Sequence, residues 1–165
     1  MSSGLRLRRP LHLLALGFGL GLAPRAPGTF GTLAALPLVA VLYPAPAWLG
    51  LLAVAAAVLA GVVICGRAAD DAGVHDHPAI VWDEVAGYLV ATLPLLLGGV
   101  WLHPALDAAV LFLLFRLLDA VKPGPIGWLD RRLHGGFGIM ADDVAAGAVA
   151  AVLWWAGAML LGAGG

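Results

Sequence analysis

Charge is what this sequence has least of. Only 12% of its 165 residues are charged, 62% are hydrophobic, and the mean hydropathy is +0.98. A soluble domain carries about 25% charged residues, so the composition points to an integral membrane protein. Cysteine is almost absent: the lone Cys65 excludes an internal disulfide, and its apolar neighbours suggest plain packing. No H-E-x-x-H, Cys-x-x-Cys or G-x-S-x-G pattern occurs, which leaves zinc and serine-hydrolase chemistry without support. A Walker-type phosphate loop is also missing, and the glycines of GFGLGL are wrongly spaced for dinucleotide binding. The basic residues are too scattered for nucleic acid. No linker or low-complexity tail divides the chain, so residues 1–165 read as one membrane-embedded domain.

What is there is a set of apolar runs separated by polar segments. After Arg6, Arg8 and Arg9, the stretch Leu11 to Ala23 is too short to cross a bilayer and reads as an interfacial helix. Proline and glycine in APRAPGTFGTL break the chain, and Thr29 or Thr32 can cap the short helix that follows to about Tyr43. Longer runs follow at Ala47 to Cys65, Val85 to about Gly98, Leu106 to Leu118 and Val144 to about Leu161. The expected fold is therefore all-α, a polytopic bundle of about five membrane helices plus the short N-terminal one. Several runs are shorter than the ideal, which predicts tilting or local thinning of the bilayer.

The charges fall on one side of that topology. All nine Lys and Arg residues and nine of the ten acids occupy segments that the bundle gathers at one end; only Asp107 lies across. The positive-inside rule makes the charged end cytoplasmic, with the N-terminus inside. Asp107, isolated on the far side, is expected to be a bystander.

The densest polar stretch is HDHPAIVWDE, His75 to Glu84, with Asp70 and Asp71 just upstream. Carboxylates beside membrane helices are costly to keep unless something uses them, and crowded carboxylates favour a cation between them. Two acidic pairs repeat one pattern: Asp83-Glu84 leads into Val85-Ala86-Gly87, and Asp142-Asp143 into Val144-Ala145-Ala146-Gly147. Each pair reads as the start of a membrane helix, and the plain alternative is a pair of helix caps, worth about 0.3–1 kcal/mol each. One aspartate suffices for a cap, whereas the glycines just beyond let the two helices approach and merge the pairs. Oxygen-only ligation by Asp83, Glu84, Asp142 and Asp143 suits Mg²⁺.

Positive charge comes from Phe115 to Asp143. Arg116, Asp119 and Lys122 are spaced three apart and share a helical face until Pro123. They form either a ladder of surface ion pairs or a grip on phosphate oxygens. Arg131, Arg132 and His134 are less specific candidates for substrate or for anionic lipid heads. HGGFG, His134 to Gly138, offers backbone N–H groups to an anion or forms a plain flexible loop.

The segments LHLLALGFGLGL, PGTFGTLAA, DAGVHDHPAIVWDE, FRLLDAVKPGPI and LDRRLHGGFGIMADDVAAG, in this order, resemble the phosphatidylglycerophosphatase A family from about Leu11 to Gly147. The resemblance implies an Mg²⁺-dependent phosphatase of a bacterial inner membrane, acting at the cytoplasmic face on phosphatidylglycerophosphate. Its implied site residues are Asp71, Asp76, Asp83, Glu84, Arg116, Asp119, Lys122, Asp142 and Asp143. Asp71, Asp76 and Glu84 are then the candidates for catalytic carboxylates. Metal-activated water and an aspartyl-phosphate route both remain open. The implied partner is a membrane phospholipid substrate, with no protein partner. A small ion transporter would carry its carboxylates near the bilayer midplane instead, and a scaffold protein would need no paired acids.

Overall fold

A computed structural model describes residues 4–74 and 77–162. Among these residues the chain is helical throughout, with no strand. The expected N-terminal helix is two pieces: α1 (Pro10–Ala15) and a 3₁₀ segment, Gly17–Leu22. The segment bends where Phe18 and Gly19 take positive φ, 58° and 98°. Then come α2 (Pro27–Ala34), α3 (Leu36–Leu42), α4 (Ala47–Ala72), α5 (Trp82–Ala91) and α6 (Leu93–Leu96). α7 (Pro104–Val121), α8 (Pro125–Arg132) and α9 (Gly135–Gly162) complete the chain.

Two helices, α4 with 26 residues and α9 with 28, are long and apolar enough to cross a membrane by length and composition. At 1.5 Å per residue each reaches about 40 Å, more than the ~30 Å hydrocarbon core. The other expected crossings are shorter or interrupted. α2 and α3 meet at Ala35, just ahead of Pro37, and α5 and α6 meet at Thr92, just ahead of Pro94. A proline has no N–H for the preceding turn and its ring crowds that turn's carbonyl, which breaks the helix there. α7 has 18 residues and carries Asp107, Arg116 and Asp119.

α9 begins at Gly135 rather than near Val144, which corrects the reading of Asp142-Asp143. That pair lies in the third turn of a helix, where its backbone N–H groups already face the preceding turn, so it caps nothing. Glycines suggested a loop before it, yet packing made them helical. A Cβ on Gly136 would sit 1.8 Å from the Val62 carbonyl oxygen of α4. α9 and α5 approach equally closely, as the paired glycines led us to expect: a Cβ on Gly147 would meet the Gly87 carbonyl oxygen at 2.1 Å, and one on Gly87 the Asp143 oxygen at 2.7 Å. Around this contact Tyr88, Leu111 and Phe115 are fully buried, and the Tyr88 hydroxyl donates to the Ala108 carbonyl at 2.7 Å.

At the opposite end of the molecule Asp107 is no bystander. It is completely buried. It accepts from the backbone N–H of Trp101 at 3.0 Å and of Leu102 at 3.2 Å, and from the Trp154 indole at 3.2 Å. It thereby ties the turn before α7 to the outer half of α9. Asp107→Ala would leave three donors unsatisfied, at about 1–3 kcal/mol for each one that water cannot reach. The expected outcome is a loss of about 3 kcal/mol or more in detergent unfolding, with cation binding at the other end unchanged in the protein that remains folded.

Candidate active site

The first turn of α2, the start of α5, the last turn of α7, α8 and the first three turns of α9 enclose a cavity of about 300 Å³. Asp83 and Glu84 occupy the first turn of α5, where the partial positive charge of the helix end favours anions. The Gly87–Gly147 contact carries Asp143 up against them. One carboxylate oxygen from each of Asp83, Glu84 and Asp143 lies within 4.8 Å of the other two. Glu84 Oε2 and Asp143 Oδ2 are buried and have no hydrogen-bond partner. A buried carboxylate oxygen with no donor costs several kcal/mol unless a cation offsets it. Oxygens from three carboxylates this close together, with an orphaned oxygen on both Glu84 and Asp143, fit a hard divalent ion.

The opposite wall is cationic. Arg116 Nη1 donates to Asp119 Oδ2 at 2.5 Å, the expected i,i+3 pair, and lies 3.9 Å from Glu84 Oε1. Lys122 departs from the expected ladder. It follows the last residue of α7 in the left-handed region at φ 47°, and its side chain pairs with acids of other helices. Its ammonium donates to Asp130 Oδ1 at 2.5 Å and to Asp142 Oδ2 at 2.6 Å. Burial acts to lower its pKa, but its hydrogen bonds to these two carboxylates and their negative charge outweigh that and hold the pKa above the usual lysine value. Lys122 is therefore charged at any physiological pH.

Of the residues expected in the site, Asp83, Glu84, Arg116, Asp119, Lys122, Asp142 and Asp143 all line this one cavity. Asp71 does not. It is half exposed and accepts from Arg9 Nη1 and from His12 Nε2, both at 2.9 Å. His12 is buried, and its Nδ1 accepts from the Arg6 N–H, so Nε2 carries the proton given to Asp71. His134 is exposed, precedes α9 and does not line the cavity. Asp76 lies outside the described residues.

Two contributors went unrecognised in the sequence. Gly28, in the first turn of α2, faces the Glu84–Arg116 pair: a Cβ there would stand 2.2 Å from Glu84 Oε1 and 3.0 Å from Arg116 Nη2. The only signal was the compact PGTFG segment, read as a helix break with a threonine cap. No side chain caps α2; the Thr32 hydroxyl donates back to the Gly28 carbonyl at 2.9 Å. Asp130, the second partner of Lys122, is eight residues further along and on a different helix, a spacing that carries no helical signal.

A family model and two relatives carry the same description. A family model described as Phosphatidylglycerophosphatase A matches residues 13–158. The Escherichia coli phosphatidylglycerophosphatase A is 46% identical over 156 residues, covering 94% of this chain and 88% of that protein. The Haemophilus influenzae phosphatidylglycerophosphatase A is 42% identical over 156 residues, covering 91% and 90%. A Bacteroides thetaiotaomicron protein provisionally named a phosphatidylinositol-3-phosphatase is 33% identical over 155 residues, covering 89% and 94%. No solved structure matches the chain.

The cluster can be tested through binding alone. In a chelator Asp143→Asn is expected to melt no lower than the parent, since it removes a repelling charge and keeps the shape. Mg²⁺ at about a hundred times its dissociation constant is expected to stabilise the parent by about 2.7 kcal/mol and the variant far less. Equal Mg²⁺-dependent shifts in the two melting curves would show that the three carboxylates hold no ion.

Proposed function

The chain belongs to the phosphatidylglycerophosphatase A family, and from that premise we propose that it hydrolyses the terminal phosphate monoester of phosphatidylglycerophosphate, with Mg²⁺, to phosphatidylglycerol and phosphate. The observation that carries this reading is the pair of orphaned carboxylate oxygens, on Glu84 and Asp143, facing Arg116 and Lys122 across one cavity. Anionic ligands on one side and fixed cations on the other suit a phosphate bridging between them.

In this reading Asp83, Glu84 and Asp143 hold the metal, while Asp142 serves chiefly to aim Lys122. Mg²⁺ held by these residues would supply positive charge to the phosphoryl oxygens and order a water. Arg116 and Lys122 bind the equatorial oxygens, whose charge grows as the bond to the departing glycerol oxygen stretches. Asp119 keeps the Arg116 guanidinium turned toward the cavity. Gly28 lets the α2 backbone close against Glu84 and Arg116, where a Cβ would collide with both. Glu84 would take the proton of the attacking water through the carboxylate oxygen that does not hold the metal. That proton ends on the glycerol oxygen, so the reaction balances as lipid phosphate plus water giving alcohol plus phosphate.

The membrane setting belongs to the same proposal. The cavity is built from the site-side ends of α5, α7 and α9, with α4 running alongside, so successive helices alternate in direction. Together with α2–α3 they make a bundle of about five crossings with the site at one end. The positive-inside rule puts that end at the cytoplasmic face of a bacterial inner membrane. A lipid phosphate stays at this interface.

Lys122→Ala is expected to cut kcat/KM for phosphatidylglycerophosphate in mixed micelles by about 10²–10³-fold, the usual loss of a transition-state donor. Arg8→Ala, outside the cavity, is expected to leave it unchanged. Phosphate release should vanish in a chelator and return with Mg²⁺. Near-normal turnover by Lys122→Ala would make Lys122 an ordinary ion pair. The same assay on phosphatidylinositol 3-phosphate tests the choice of head group.

A further inference from the structure

We infer that the groove between α2–α3 and α7 holds an acyl chain of the lipid whose phosphate enters the carboxylate cavity, an inference that rests on the phospholipid phosphatase reading above. The groove has a volume of about 720 Å³ and its lining is almost wholly apolar. Leu33, Leu36 and Tyr43 form one wall, and Pro104, Ala108 and Phe112 the other.

Three observations give the groove this occupant. The first is continuity with the site. Pro104, Ala108 and Phe112 recur every fourth residue, so they share one face of α7, and the next residue on that face is Arg116. On the other wall, α2 carries both Gly28, which faces Arg116, and Leu33, which faces the groove. The same two elements, α2 and α7, therefore line both the phosphate cavity and the groove. A lipid with its phosphate beside Arg116 in the cavity has its apolar portion within reach of the groove one turn further along α7.

The second is length. The groove residues of α7 run from Pro104 to Leu113, about 14 Å at 1.5 Å per residue. Half of a ~30 Å hydrocarbon core is about 15 Å, the depth of one leaflet and so of one acyl chain. The third is access. Ala40, Ala105 and Ala109 at the rim are small and exposed, which leaves the groove open along its side to chains entering from the bilayer, while Leu95 and Val39 close its floor.

Filling the groove tests this directly. Ala40→Trp and Ala109→Trp place bulk at exposed rim positions, where the fold loses no contact. Each variant is assayed on long-chain phosphatidylglycerophosphate and on its deacylated, water-soluble head group. The expected result is a tenfold or greater fall in kcat/KM on the long-chain lipid, mostly in KM, with the rate on the deacylated ester unchanged. Leu59→Trp, on the exposed outer face of α4, is expected to change neither. An equal loss on both esters, or no loss on the lipid, overturns the groove while leaving the activity in place. A parent protein inactive on both overturns the function, and the groove falls with it.

Discussion

Everything at the charged end depends on how closely α5 and α9 approach. Their backbones touch at Gly87 and Gly147, where no side chain fits. That contact sets Asp143 against Asp83 and Glu84, and the resulting repulsion opposes the packing that causes it. Proteins seldom keep like charges this near in a buried place without a cation or a proton to share. The apolar contacts of Tyr88, Phe115 and Leu111 around the crossing supply the burial energy, at about 25 cal/mol per Å², that holds the helices in place against the repulsion.

The N-terminal segment braces the same crossing from outside. Val81, immediately before α5, donates its N–H to the Ala15 carbonyl at 2.8 Å. Gly17, Gly21 and Gly31 crowd the Val81 side chain so tightly that a Cβ on any of them would collide with it or with Ala79. α1 is in turn pinned to the end of α4 by the His12–Asp71 hydrogen bond. Asp71 thus lies outside the cavity and is linked to it through α1 and the residues just before α5.

How much of this was legible depends on the range of the interaction. Periodicity and composition gave the helices and the charged end, because those signals are local and each residue votes independently. The glycine pairs gave the α5–α9 contact, because only close approach makes use of a missing Cβ in a helix. The start of α9 was not legible. HGGFG has the local preferences of a loop, and the Val62 carbonyl that makes it helical is 74 positions away from Gly136. For the same reason Asp130 and Gly28 gave no signal: their partners, Lys122 and Glu84, come from other helices.

Asp107 and Asp143 show why the count of partners says more than burial does. Both are buried aspartates on membrane-type helices, one at each end of the bundle. Asp107 meets three donors, so its charge is spread over hydrogen bonds from Trp101, Leu102 and Trp154, and adding a cation would mean breaking them. Asp143 keeps one oxygen with no donor and has two other carboxylates beside it. The first arrangement is complete in the folded chain alone, and its role is to hold the turn before α7 against α9. The second is left incomplete by the folded chain alone. An acid that the fold leaves unfinished is the one to look to for chemistry.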